Sequence, residues 1–264
     1  MSEQAIPGGL QTVRDRYSER ALESCGARWR IRDTAGNGPA LLLLPGSLGN
    51  ADIFFNQMLA LAPRFRCIAV DYPDAPVVEL ADGLAGLMDI LGLDRACMLG
   101  SSLAGYWLQT FGSRHSNRVT AMILANSFSD TEELRLHPLF SVQMLEAVPG
   151  EVLKAEWLTR LEAKPPDMLR NAQIDLLRNG QAGESLRFRL LAAATANAAP
   201  VMAGPFLVAV LDCADDPILS ATTRNAVAAR YPTARRLTLP IGGHYPHVVQ
   251  GAEYNRFMET VLAG

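Results

Sequence analysis

The sequence predicts an α/β protein with a doubly wound, mostly parallel sheet and a helical cap insert. Three observations predict this class. Short apolar runs, typical of buried strands, alternate with stretches of helical periodicity. The segment 128–200 interrupts this alternation, because its apolar residues recur at helical spacing and none of it resembles a strand. The length of 264 residues suits one large domain that carries such an insert.

The predicted elements follow one another as a doubly wound sheet requires. Residues 28–32 alternate between polar and apolar side chains, which predicts an edge strand with one solvated face. Residues 40–44 contain four consecutive leucines and predict a central parallel strand buried on both faces. Further strands are predicted at 67–70, 95–99, 119–125, 206–211 and 236–239, and helices at 52–61, 78–91, 103–115, 222–231 and 252–262.

Three parts of the chain are predicted. Residues 1–27 are polar with weak helical periodicity, and we expect an N-terminal leader there. Residues 28–127 and 201–264 carry the strands and form the core of the domain. Residues 128–200, interrupted by prolines and glycines, form a helical cap or lid between two strands of the sheet.

Composition excludes several functional classes. The net charge of −3 gives no basic surface for nucleic acid. No apolar run reaches the roughly 18 residues of a membrane span, and no signal peptide is expected. The four cysteines are scattered without CxxC spacing, which favours free thiols and a cytoplasmic location. No cluster has metal-ligand spacing, so neither a metal nor another cofactor is expected.

A candidate nucleophile lies between the strand at 95–99 and the next helix. There the sequence reads Gly-Ser-Ser-Leu-Ala-Gly at 100–105, a Gly-x-Ser-x-small pattern centred on Ser102. A serine in such a sharp strand-to-helix turn needs small residues two positions away on each side, here Gly100 and Ala104. Ser101 is a poorer candidate because leucines occupy the equivalent positions around it. The alternative is an ordinary small-residue turn between strand and helix.

A general base would have to follow a later strand of the sheet. The chain has four histidines. His115 ends the helix after Ser102, and His137 lies in the insert. His244 follows the last strand directly after two glycines, which allow its ring to approach the serine, so it is the predicted base. His247 better fits a loop histidine that is solvated or bonded to a carbonyl group.

The residue that orients the base should follow the strand at 206–211. Three aspartates stand there, at 212, 215 and 216. Asp216 precedes a proline and is the favoured orienting carboxylate, while Asp215 stays open as the alternative. Asp212 lies too close to the strand to reach His244. Several acids at a strand end can also be a helix cap with solvated turn residues. The order Ser102, Asp216, His244 is that expected of a triad on this type of sheet.

Donors for an oxyanion are predicted at two backbone amides. One is the N–H of Leu103, directly after the candidate nucleophile. The other is the N–H of Ser47, in the small-residue loop after the strand at 40–44. The alternative for this loop is a plain turn into a helix cap.

From residue 29 to 262 the chain resembles the α/β-hydrolase superfamily. The segments that carry this resemblance are 43–46, 100–105, 214–219 and 242–244. Two departures stand out: Pro45-Gly46 replaces the family's usual His-Gly, and Ala104 replaces the second glycine of the turn. A narrower resemblance, to the maspardin branch, is carried by 51–55, 126–131 and 231–236.

The resemblance implies two functional hypotheses. The first is a serine hydrolase, esterase-like, that cleaves a small, apolar ester or related acyl bond through an acyl-enzyme. The second is a non-catalytic binding or adaptor protein that uses the same pocket, as the maspardin branch implies. The expected partner is a small-molecule, ester-like substrate in the first hypothesis and a ligand or peptide in the second, with no nucleic acid and no membrane span in either.

Overall fold

Within residues 8–263, which the computed structural model describes, eight strands form one sheet. The strands are β1 (Glu19–Ser24), β2 (Ala27–Asp33), β3 (Ala40–Leu44), β4 (Arg66–Asp71), β5 (Ala96–Ser101), β6 (Val119–Ala125), β7 (Leu207–Cys213) and β8 (Arg235–Leu239). Their order across the sheet is β1-β2-β4-β3-β5-β6-β7-β8. Strand β2 is antiparallel to both of its neighbours, and all other pairs are parallel. The predicted α/β class and mostly parallel sheet are therefore confirmed.

Helices cover both faces of this sheet. They are α1 (Gly9–Arg16), α2 (Phe55–Leu61), α3 (Val77–Ile90), α4 (Leu103–Arg114), α5 (Val142–Ala147), α6 (Gly150–Glu162), α7 (Met168–Gly180), α8 (Gly183–Ala194), α9 (Ala221–Arg230), α10 (Pro246–Val249) and α11 (Gly251–Leu262). Short 3₁₀ turns lie at Ala51–Phe54, Ser116–Arg118, Leu134–Leu136 and Pro138–Phe140. None of the helices in residues 8–263 is long and apolar enough to cross a membrane.

The leucines of β3 show why the sheet needs two covered faces. All four are fully buried, and alternate ones belong to two different apolar clusters. Leu42 and Leu44 pack with residues of α3 and α4, whereas Leu41 and Leu43 pack with residues of α2 and α11. Because side chains of a strand point alternately to opposite faces, an uninterrupted apolar run requires helices on both sides.

The N-terminal prediction is wrong for residues 9–24, while residues 1–7 lie outside the described part of the chain. Helix α1 packs on α2, with Val13 fully buried, and β1 pairs with β2 along its whole length. Strand β2 is consequently internal and not the predicted edge. Its alternation has another cause: Trp29 and Ile31 are buried, while Arg30 is paired with Asp71.

Between β6 and β7 the chain forms the insert, residues 128–200, which has helices α5 to α8 and no strand. Arg189 of α8 joins the insert to the end of β4. Its guanidinium is almost fully buried, lies 3.1 Å from Oδ1 of Asp71 and 3.2 Å from Oδ1 of Asp74, and stacks on the ring of Tyr72. The insert therefore rests on the edge of the sheet where the parallel strands end.

Candidate active site

Ser102 occupies a strained backbone position between β5 and α4. Its φ of 52° and ψ of −116° lie outside the regions that residues with a side chain favour. Two contacts to the β6 side hold it there. The Ser102 amide donates to the carbonyl of Ala125 at 2.9 Å, and the Ser127 hydroxyl donates to the Ser102 carbonyl at 2.9 Å. The neighbouring strand and the residues that follow it thus maintain the strained backbone conformation of Ser102.

Two glycines allow α4 to start this close to β5. A Cβ atom on Gly100 would lie 2.6 Å from backbone atoms of Ala104 and Gly105. A Cβ atom on Gly105 would lie 2.6 Å from the side chain of Ser127. Ala104, by contrast, is fully buried and carries its methyl group without such a conflict. The second glycine that this turn requires is therefore at 105, which accounts for the alanine at 104.

His244 and Asp216 lie against each other on the loops after β8 and β7. Nδ1 of His244 is 2.9 Å from Oδ2 and 3.1 Å from Oδ1 of Asp216. Asp216 also accepts from the amides of Ile218 at 2.8 Å and Leu219 at 3.1 Å. Burial by itself raises the pKa of Asp216, but the charge and hydrogen bond of His244, with the other donors, lower it to about 2. This carboxylate stays ionised beside the ring.

The two other aspartates of this region have different partners. Asp215 accepts from the amides of Gly242 at 3.2 Å and Gly243 at 2.8 Å, so it stabilises the turn that precedes His244. Asp212 is buried and lies 3.3 Å from the guanidinium of Arg236. Of the three acids, the structure brings Asp216 to the histidine ring.

Asn126 is a member of this cluster that the sequence analysis did not identify. It follows β6, is buried, and has a φ of 41°, an uncommon value for a residue with a side chain. Its Nδ2 donates to Oδ2 of Asp216 at 2.8 Å and to the carbonyl of Gly243 at 3.2 Å. One side-chain amide thus connects the acid to the loop that carries His244.

Within residues 8–263, none of the other three histidines bonds Asp216, although His247 lies in the same region as His244. His115, after α4, lies 2.8 Å from Asp82, and His137 accepts from the Leu139 amide in the insert. The interpretation of His247 as a solvated or carbonyl-bound loop histidine is wrong. Its ring is fully buried and packs against the ring of Phe54. Residues 246–249 form the short helix α10, which the sequence analysis did not predict. Burial, followed by the charge of His244, lowers the pKa of His247 to about 3.

The amides of Ser47 and Leu103 lie at the same edge as Ser102. Leu103 is the first residue of α4, where backbone N–H groups have no partner within the helix. The loop of Ser47 touches the serine, since a Cβ atom on Gly46 would lie 3.0 Å from Cβ of Ser102. Among residues 8–263, neither amide donates to another backbone group. Both are available to a ligand oxygen.

A cavity of about 280 Å³ joins these groups. Ser47, Ser102 and His244 are among the residues that line it. Its walls are largely apolar, and the insert contributes six of the apolar side chains: Leu139, Phe140, Trp157, Leu161, Leu169 and Leu190. Within the described residues no carboxylate lines it, and exposed Lys164 lies at its rim. The dimensions and lining suit a small, mostly apolar ligand.

The serine and histidine are not hydrogen-bonded to each other in the free protein. Among residues 8–263, no hydrogen bond joins the Ser102 hydroxyl to the His244 ring, although both line the cavity. Catalytic hydrogen bonds are often long in free enzymes and shorten when substrate binds. The same part of the chain has no group of three His, Cys, Asp or Glu side chains arranged to hold a metal ion.

Known proteins share the sequence pattern and the fold of this chain. The pattern of the alpha/beta hydrolase family matches residues 41–257. Maspardin from Homo sapiens is 33% identical over 230 residues, which cover 84% of this chain and 74% of maspardin. A hydrolase from Pseudomonas aeruginosa PA01 superposes with a TM-score of 0.77 at 21% identity, covering 94% of this chain and 99% of that one. A thermophilic esterase from Thermogutta terrifontis gives 0.75 at 20% identity, covering 93% and 98%.

Proposed function

The chain belongs to the alpha/beta hydrolase family, in its maspardin branch, and from this premise we propose that it is a serine hydrolase. One observation carries the proposal: a buried, ionised Asp216 holds the ring of His244 in the cavity that Ser102 lines. A histidine oriented by a carboxylate beside a serine that lines a cavity is the arrangement that activates a hydroxyl group for attack.

The proposed reaction proceeds through an acyl-enzyme. Oγ of Ser102 attacks the carbonyl carbon of an ester while Nε2 of His244 accepts the hydroxyl proton. The amides of Ser47 and Leu103 donate to the oxyanion of the tetrahedral intermediate. When the intermediate collapses, the carbon–oxygen bond to the leaving group breaks and His244 protonates the alcohol. Water, deprotonated by the same ring, then releases the acid from Ser102.

The proposed substrate is a small carboxylic ester, or a related acyl compound, with an apolar acyl group. The support is the volume of the cavity, about 280 Å³, and the apolar side chains that the insert contributes to it. We assign residues 128–200 the role of a cap that excludes water and shapes the acyl site. A cytoplasmic location belongs to the same proposal and is supported by four cysteines that form no disulfide.

A second candidate is a binding protein that holds its ligand in this cavity without turning it over. The similarity to maspardin supports it. Hydrolysis of p-nitrophenyl butyrate separates the two candidates, with Ser102→Ala and Ser101→Ala as a matched pair. The hydrolase predicts turnover that Ser102→Ala abolishes and Ser101→Ala largely preserves. Absence of turnover in the wild type, with retained binding of ester analogues, would favour the binding protein.

A further inference from the structure

The loop at 45–49, which contains the Ser47 amide, is held from two sides. From the core, the hydroxyl of Tyr72 donates to the carbonyl of Pro45 at 2.9 Å and to that of Gly46 at 3.3 Å. From the insert, Gln181 bonds the loop at two points. The loop is therefore hydrogen-bonded both to the core and to the insert.

Gln181 lies just after α7 and is 5% exposed. Its Nε2 donates to the carbonyl of Ser47 at 2.7 Å, and its Oε1 accepts from the amide of Gly49 at 2.7 Å. The chemistry of the partners fixes this orientation of the side-chain amide, because a carbonyl only accepts and an amide N–H only donates. Only a side chain with a donor and an acceptor on one end can make both bonds.

These contacts determine where the Ser47 amide points. In a trans peptide the N–H and the preceding carbonyl point in opposite directions. Tyr72 holds the Gly46 carbonyl on the core side, so the Ser47 N–H of the same peptide faces away from it. Gln181 holds the next carbonyl, that of Ser47 itself. With the peptides on both sides of Ser47 held, the direction of this amide is fixed as well.

We infer that Gln181 is a positioning residue for the oxyanion donor, so that the insert contributes to the chemistry as well as to the cavity walls. This inference rests on the proposed function. It assigns to Gln181 an effect on the transition state, because the Ser47 amide contacts the oxyanion more strongly than the ground-state carbonyl oxygen. Loss of Gln181 should therefore lower kcat and leave KM nearly unchanged.

The test compares Gln181→Met and Gln181→Glu with Ser185→Ala. Methionine keeps the length of the side chain and removes both hydrogen bonds. The hydroxyl of Ser185 bonds Asp74 at 2.9 Å, so its removal breaks a contact between insert and core that does not touch the loop. With p-nitrophenyl butyrate, we expect kcat of Gln181→Met to fall about 10- to 100-fold, less than or comparable to removal of an oxyanion donor, and Ser185→Ala to match wild type.

Gln181→Glu supplies a readout that a purely structural role would not give. An ionised carboxylate accepts from Gly49 but repels the Ser47 carbonyl, whereas the protonated acid donates to it. The activity of this variant relative to wild type should therefore increase as the pH is lowered. Amide hydrogen exchange of peptides covering 45–49 should become faster in Gln181→Met and stay unchanged in Ser185→Ala.

The outcomes separate the two proposals. If the wild type neither hydrolyses the ester nor reacts with an acylating probe, the proposed function fails, and the oxyanion role of Gln181 with it. If the wild type is active but Gln181→Met keeps its kcat, only the inference is overturned. An increase in KM alone, or a pH-independent ratio for Gln181→Glu together with unchanged exchange at 45–49, overturns it as well.

Discussion

Nδ1 of His244 lies 2.9 Å from Oδ2 of Asp216, while Asp215, one residue earlier, turns to the amides of the two glycines before the histidine. The two adjacent acids thus have different tasks. Asp216 lies against the His244 ring, and Asp215 stabilises the turn that precedes His244. Both depend on the loop after β7 lying beside the loop after β8, which the parallel pairing of these strands ensures.

The first prediction concerns these two acids. Asp216→Asn keeps the shape of the side chain but favours the wrong tautomer of His244, so we expect kcat to fall by about 10⁴, as in serine proteases. Asp215→Asn keeps one of the two oxygens that accept from the Gly242 and Gly243 amides and loses the other, so it should loosen the turn and lower kcat by about 10-fold or less. Steady-state hydrolysis of p-nitrophenyl butyrate by both variants checks the ranking. The reverse ranking would assign the orienting role to Asp215.

The second prediction concerns Asn126. Asn126→Gly tolerates the φ of 41° but removes the donor to Asp216 and to the Gly243 carbonyl. A hydrogen bond to a charged group contributes about 1.5–3 kcal/mol to the stability of the arrangement that it holds. Because this bond holds the carboxylate beside His244, we expect its loss to lower kcat by about 10- to 100-fold. Thermal unfolding serves as the control for folding. Wild-type kcat in a folded Asn126→Gly variant would show that Asp216 does not need this donor.

The sheet could be predicted because its strands are buried on both faces. The runs at β3 to β7 are mainly apolar and mostly buried, and their shortness favours strands over helices. Strand β1 could not be predicted in this way. Its sequence, Glu-Arg-Ala-Leu-Glu-Ser, is that of an exposed edge strand, whose pairing with β2 depends on the backbone and not on an apolar pattern.

Site residues could be predicted from the sequence where they lie close to a predicted strand and to glycines. Ser102 directly follows β5 with a glycine two positions before it, and His244 follows a pair of glycines in the loop after β8. The resemblance to the α/β-hydrolase superfamily and its maspardin branch is confirmed. Asn126 and Gln181 carry no such local signal. Their roles come from contacts over 90 and more than 130 positions of the chain. The choice between Asp215 and Asp216 likewise depends on loop geometry.

The third prediction tests the insert as the wall of an acyl site. Trp157 of α6 lines the cavity, whereas its half-buried neighbour Leu158 does not. Trp157→Ala should enlarge the cavity and shift the preference among p-nitrophenyl esters towards longer acyl chains. Leu158→Ala is the matched control and should keep the wild-type preference. If Trp157→Ala changes the rates for all chain lengths equally, the insert only supports the fold.

The fourth prediction concerns stability and His247. The pKa of this buried histidine is lowered from 6.5 to about 3. Between these values the unfolded chain binds a proton that the folded chain does not, so unfolding takes up a proton. The free energy of unfolding therefore falls as the pH is lowered through this range, by up to about 1.4 kcal/mol per pH unit from this residue.

His247→Phe removes this contribution. Urea unfolding at several pH values between about 4 and 8 should show a shallower pH dependence for the variant than for wild type. Both proteins should respond alike above pH 7, where the histidine is neutral in either state. Parallel curves over the whole range would show that His247 is not buried in its neutral form.

The central claim is that Ser102 is a nucleophile activated by His244, and the most direct measurement is covalent labelling. A fluorophosphonate probe should add one adduct per chain by intact-mass spectrometry, and peptide mapping should locate it on Ser102. Ser102→Ala should remain unmodified, and His244→Ala should react far more slowly, since the serine then lacks its base. A wild-type protein that stays unmodified, or one labelled at the same rate without His244, would contradict the claim.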